Sequence, residues 1–141
     1  MILLDTNVVS EPLKPAGDAA VVAWLDAQAV ETLYLSTISL AELRFGIAAL
    51  PDGRRKETLH RSLDQRVVPV FEDRILPFDM AAADAYATLR ARARAAGRAI
   101  GTVDGYIAAI AAAHNLAVAT RDTSPFEAAG VAVINPWDPG P

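Results

Sequence analysis

The sequence predicts an open α/β sheet with helices on both faces, and three observations lead to it. Short apolar runs at residues 2–4, 33–35, 116–119 and 131–134 read as strands. Their apolar residues are nearly continuous rather than alternating with polar ones, the mark of strands covered on both faces. Segments with helical patterning separate them, so successive strands need long crossovers and pair in parallel.

Taken in order, Ile2-Leu3-Leu4 is a buried strand, and Asp18 is placed to cap a helix running to about Gln28, with Val21, Val22 and Leu25 inward. Leu33-Tyr34-Leu35 is the second strand. Ser39 is placed to open a helix through Leu40, Leu43 and Ile47 that Pro51 stops, and Asp52 to start a charged helix ending near Arg66. Residues 67–78 are β-rich but interrupted by Pro69 and Pro77, which predicts a short edge strand. Asp79 caps a long Ala-rich helix reaching Ala96, with Gly97 as its stop. Thr102 opens a helix to His114, ended by Asn115. A strand, a short helix near Phe126 and a last strand follow, and residues 136–141 form an irregular Pro-rich tail. The whole, 1–141, is one domain with about five strands, without repeat or linker.

Apolar residues make up 52% of the chain, which excludes a disordered protein. No cysteine is present, which excludes a disulfide scaffold and thiolate zinc sites and suits a reducing compartment. Asp5 ends the first apolar run at once, unlike a secretory signal. The most apolar stretch, 106–119, is too short to span a bilayer and contains His114 and Asn115. A soluble, cytoplasmic protein with no membrane partner is therefore expected. The net charge of −4 disfavours indiscriminate coating of duplex DNA. Yet eleven of the thirteen Lys and Arg residues lie between Arg44 and Arg98, so a local basic surface is expected on an acidic molecule.

In open parallel sheets, ligands bind beyond the carboxyl ends of the strands. Asp5 follows the first strand directly, and Asp122 follows the fourth after Thr120-Arg121. Glu42 falls in the first turn of the helix after the second strand, and Asp104 in the first turn of the helix leading into the fourth. Four acids distant in sequence can thus meet at one sheet edge. Such a cluster repels itself unless a cation is present. Hard divalent cations prefer oxygen ligands, acidify water and polarise phosphate oxygens, which are the two needs of phosphodiester hydrolysis. No histidine or lysine base is then required, and His60 and His114 sit mid-helix and at a helix end.

Each acid also has a local explanation. Asp5 in Asp-Thr-Asn suits a turn or cap. Ser39-Leu-Ala-Glu42 matches a capping box, which alone favours a structural Glu42. Asp104 suits a helix dipole, and Asp122 suits an Asx turn. Only their joint placement points to a site.

The motifs resemble a known family. Residues 2–10, Ile-Leu-Leu-Asp-Thr-Asn-Val-Val-Ser, resemble the opening of a PIN domain. Ile38-Ser-Leu-Ala-Glu42-Leu-Arg-Phe-Gly46 is similar to the second motif of VapC-type toxins. Val103-Asp104-Gly-Tyr-Ile107 resembles the third, and residues 116–122, with Phe126 and Gly130-Val131, the fourth. Each is loose alone, and four in order over nearly the whole chain are specific.

The resemblance implies a three-layer PIN-like fold with a five-stranded parallel sheet. It implies one or two Mg²⁺ or Mn²⁺ ions and endonucleolytic cleavage of RNA by the toxin of a type II toxin–antitoxin pair. It also implies a homodimer silenced by a cognate VapB-type antitoxin, with promoter DNA bound through the antitoxin complex. Carried over by position, Asp5, Glu42, Asp104 and Asp122 are the catalytic acids, with Asp5, Asp104 and Asp122 as metal ligands. Thr6, Asn7 and Thr120 would orient carboxylates or water. Pro125 departs from the polar or acidic residue of many relatives.

Arg90, Arg94 and Arg98 recur every four residues, which makes either a phosphate-contacting edge or a solvated face. Arg54, Arg55, Lys56 and Arg61 allow the same two readings. Trp24 and Trp137 are expected as packing anchors. Phe45 and Ile47 are expected in the core, or in a groove for an antitoxin helix. A haloacid-dehalogenase-like phosphatase needs a second aspartate where Asn7 stands, and a phospho-receiver module needs an acidic pair and a late lysine that are missing. A PIN nuclease acting on other nucleic acid or in RNA processing, and a non-catalytic PIN binding module, are the alternatives.

Overall fold

A computed structural model describes residues 1–138; the rest of the Pro-rich tail expected at 136–141 lies outside the described residues. Five strands form one parallel sheet: β1 (Ile2–Leu4), β2 (Leu33–Ser36), β3 (Ile75–Leu76), β4 (Ala117–Ala119) and β5 (Val133–Ile134), in the order β3-β2-β1-β4-β5. The order reverses at β1, so the cleft beyond the ends of β1 and β4 is the topological switch point. The amide of Asp5 donates to the carbonyl of Ala119 at 2.9 Å and ties those two strand ends together.

Successive side chains of a strand face opposite sides of a sheet. Leu3 and Val118 accordingly enter one core, and Leu4 and Ala119 the other. The first core lies under α6 (Met80–Ala95), α7 (Thr102–Ala113) and α8 (Ser124–Ala128). The second lies under α1 (Thr6–Ser10), α2 (Ala19–Ala27), α3 (Thr37–Ala48), α4 (Arg54–Ser62) and α5 (Val68–Phe71). Trp24 and Trp137 pack on the second core, as anchors should.

Most expected elements form, with local shifts that have physical causes. Ser36, not Ser39, caps α3: its hydroxyl accepts from the Ser39 amide at 3.0 Å. Two serines three residues apart offer the same signal, and the upstream one follows directly from β2. Glu42 therefore sits in the second turn, and the capping-box reading fails. Helix α4 starts at Arg54 rather than at Asp52 and runs on through a π turn, Leu63–Val67, into α5. Pro69 falls in the first turn of α5 instead of breaking the chain, where its missing N–H costs little. The edge strand expected within 67–78 shrinks to β3. Helix α6 ends at Ala95, and Gly97 adopts a left-handed φ of 71°. Arg98 thus lies past the helix, not on a continuous stripe. Pro125 is absorbed in the first turn of α8. Ile47 is buried, but Phe45 is 74% exposed and does not join the core.

The short α1 and the turn after it escaped the sequence reading. That turn is held by Glu11, whose buried carboxylate accepts from the Asp18 amide (2.8 Å) and from Lys14 Nζ (2.9 Å). Those two donors hold its pKa below the usual value. Gly17 passes so close that a Cβ there would be driven into the Glu11 carbonyl oxygen. Backbone cannot yield as a side-chain tip can, so Gly17→Ala is expected to cost about 2–3 kcal/mol. A melting temperature unchanged within about 2 °C would contradict this packing.

Candidate active site

The fold brings Asp5, Glu42, Asp104 and Asp122 to the switch-point cleft. Asp5 follows β1, caps α1 and is only 6% exposed. Its Oδ1 accepts from the Thr6 amide and its Oδ2 from the Thr120 hydroxyl, each at 2.8 Å. Cap and site residue are one role here, because the same bond that starts α1 fixes the carboxylate. Thr6 then donates its hydroxyl to Glu42 Oε1 at 2.6 Å, joining α1 to α3.

Thr120 is fully buried and is the hub on the β4 side. Its oxygen donates to Asp5 and accepts from Asn7 Nδ2 (3.4 Å) and from the Asp122 amide (3.1 Å). Asn7 Oδ1 in turn accepts from the Arg121 amide at 3.3 Å. The loop carrying Asp122 is thereby pinned to the end of β1. Asp104 stands in the first turn of α7 as expected, half-buried, with Gly101 against its carboxylate. Sequence reasoning missed Arg121, which stacks on Trp137 with its guanidinium carbon 5.3 Å from the ring centroid. Its position between Thr120 and Asp122 was the available signal.

Burial pushes Asp5 up to a pKa of about 6; the Thr120 and Thr6 hydrogen bonds offset part of this, while the charges of Asp104 and Glu42 add to it. Burial also raises the pKa of Asp104, with Asp122 and Glu42 contributing. The four acids therefore feel one another across the cleft. Among the described residues, none of them has an ion-pair partner. His60 pairs instead with Asp64, and His114 ends α7 at the surface.

These donors suit a hard divalent cation: all oxygen, mutually repelling and, among the described residues, without an ion-pair partner. Among the described residues no three acid, histidine or cysteine side chains stand in a closed ligand set. That arrangement fits an ion that binds through one or two carboxylates and keeps its waters better than it fits an all-protein cage.

Beside Thr6 and Glu42 runs an apolar groove of about 280 Å³ between α1, α3 and α4, walled by Leu13, Leu43, Ile47, Leu50 and Leu59. On the other side, Arg90, Arg94 and Arg98 line one depression, although the last lies past the helix. Arg54, Arg55 and Arg61 are exposed on α4, while Lys56 is held by Asp52 and the Ala48 carbonyl. Among the described residues no helix is long and apolar enough to cross a membrane.

The sheet order, the acids at its switch point and a match of residues 2–131 to the family described as PIN domain place the chain: it belongs to the PIN domain family, among VapC-type members. It is similar to VapC ribonuclease Y4jK of Sinorhizobium fredii, 58% identical over 139 residues and 99% of each chain. It is also similar to toxin FitB of Neisseria gonorrhoeae, 56% identical over 97% of this chain and 99% of that one. Among solved structures, FitAB bound to an IR36 DNA fragment superposes with a TM-score of 0.95 at 53% identity, covering 98% of this chain and 96% of that one.

Proposed function

We propose that the chain is a Mg²⁺- or Mn²⁺-dependent endoribonuclease, the toxin of a type II toxin–antitoxin pair. The observation that carries the reading is the self-repelling carboxylate cluster, which has no ion-pair partner among the described residues. The name of the relative at 58% identity, a VapC ribonuclease, supports RNA as the substrate.

Asp5, Asp104 and Asp122 would hold one or two ions, each ion meeting one or two of these carboxylates directly and the rest through its waters. When bound, such an ion supplies positive charge to the phosphate and lowers the pKa of water. The residues do the rest. Thr6 and Thr120 fix both oxygens of Asp5, so its carboxylate cannot swing away. Asn7, through Thr120 and Arg121, holds the Asp122 loop in place. Glu42 gives one oxygen to Thr6 and keeps the other to orient the attacking water and take its proton. Water attacks phosphorus in line, and the bond to the 3′ oxygen breaks.

The groove ending at Thr6 and Glu42 suits the apolar face of a VapB-type antitoxin helix, which would close the site from that side. The solved complex of FitAB with an IR36 DNA fragment supports DNA binding by a pair of this kind, and promoter DNA bound through the antitoxin is part of the proposal. A homodimer acting in the cytoplasm completes the proposal.

Purified chain incubated with single-stranded RNA should cut with MgCl₂ or MnCl₂ and stop on adding EDTA. Cutting that is unchanged in EDTA, or absent with every divalent ion, would overturn the reading.

A further inference from the structure

The depression on α6 carries three arginines. Arg90, Arg94 and Arg98 line it, its other walls are alanine, glycine and Ile100, and no carboxylate faces it. It holds about 510 Å³. Among the described residues none of the three arginines has an ion-pair partner, in contrast to Arg44 and Lys56. Arg90 is immobilised: it lies over the Tyr86 ring at 5.4 Å and donates to the Tyr86 hydroxyl at 2.9 Å. The other two are exposed.

The depression lies beside the helix start that carries Asp104. Its Ile100 leads straight to Gly101, the cap of α7, whose first turn carries Asp104. Gly101 lies beside the Asp104 carboxylate, where a Cβ would make an ordinary contact of 3.7 Å with Oδ2. One turn later Gly105 brings α7 against Tyr86 and Arg90; a Cβ there would lie 3.0 Å from the Tyr86 ring and 3.4 Å from Arg90 Cδ. The missing β-carbon of Gly105 thus lets the helix that carries Asp104 pack directly on Tyr86 and on Arg90, which lines the depression.

We infer that Arg94 and Arg98, flanked by the fixed Arg90, bind the backbone phosphates of single-stranded RNA next to the scissile bond. The inference rests on the nuclease reading above. An ion at the cleft can meet the charge of the phosphate under attack, but the acids around it repel the neighbouring phosphates of the strand; this cationic hollow, with no carboxylate in its lining, lies beside the helix start that carries Asp104 and can meet them. Cations gathered in one hollow suit a single strand, whose backbone can follow them. A duplex presents two phosphate ridges and would need the wider basic surface that a net charge of −4 does not supply.

The test measures binding of a fluorescein-labelled twelve-nucleotide single-stranded RNA by anisotropy, in the full chain carrying Asp5→Asn. Adding Arg94→Ala with Arg98→Ala should weaken binding roughly tenfold at low salt and flatten the dependence of log Kd on log salt by about 0.7 for each phosphate left without its arginine. Arg92→Ala removes the same kind of charge from the same helix, but lines a different depression with Asn115 and Gly130, and should change Kd less than about twofold. Unaltered affinity and slope in the double variant would overturn the inference while leaving ion-dependent cleavage by the wild-type chain intact. Equal competition by duplex DNA of the same length would overturn the assignment to a single strand. Absence of both RNA binding and cleavage would remove the nuclease reading and this inference together.

Discussion

Asp5→Asn should abolish cleavage and, without divalent ions at pH 7, make the protein more stable. The two effects share one cause. The carboxylate is buried among other acids, and its pKa is raised from 3.8 to about 6. Below pH 3.8 it is protonated in folded and unfolded chains alike and costs nothing. Between 3.8 and about 6 the unfolded chain loses the proton first, so stability falls as pH rises, and above that the full cost remains. The shift corresponds to about 3 kcal/mol at neutral pH. Asparagine retains the acceptor for the Thr6 amide but carries no charge. We expect cleavage to fall by at least about a thousandfold, as when a group needed only in the transition state is removed. The melting temperature should rise by several degrees at pH 7, and the gain should vanish near pH 4. A variant that melts lower than wild type at pH 7 in EDTA would show that Asp5 is paired in a way this geometry does not contain.

Thr120→Val is the second large expectation. Valine keeps the shape and removes the hydroxyl that donates to Asp5 and accepts from Asn7 and the Asp122 amide. The Thr120 bond is the strongest of those lowering the Asp5 pKa, so its loss must raise that pKa further. With metal present, kcat/KM should fall about ten- to a hundredfold. The acidic limb of its pH profile should move to higher pH, because Asp5 must be ionised to work. Thr120→Ser should restore both. A lower rate with an unmoved acidic limb would mean that Thr120 only supports the fold.

Much of this was legible in the sequence because the signals were local. Asp5 stands at the end of an apolar run, Asp104 within a turn of a helix start, and Asp18 and Asp79 as single clear caps; all fell where expected. The failures came where two local signals competed. Ser36 and Ser39 both suit a cap, and only contact with β2 decides between them, so Glu42 looked like a cap residue when it is bonded to Thr6 thirty-six positions away. Pro69 looked like a breaker because a π turn that shifts the helix register leaves no mark in composition. The spacing of Arg90, Arg94 and Arg98 suggested a helical stripe; the chain instead leaves the helix at Gly97 and still returns Arg98 to the same hollow. The Thr120 hub is made of contacts 113 and 115 residues apart, and only the family resemblance pointed to it.

Binding of Mn²⁺ to the purified chain, followed by the loss of the free-ion paramagnetic resonance signal at pH 7, bears most directly on the central claim. The acids should take up one or two ions per chain in a saturable way, and Asp5→Asn combined with Asp104→Asn should take up none over the same range. Uptake by the double variant equal to that of wild type would mean that the cleft does not hold the ion, and the proposed chemistry would fail with it.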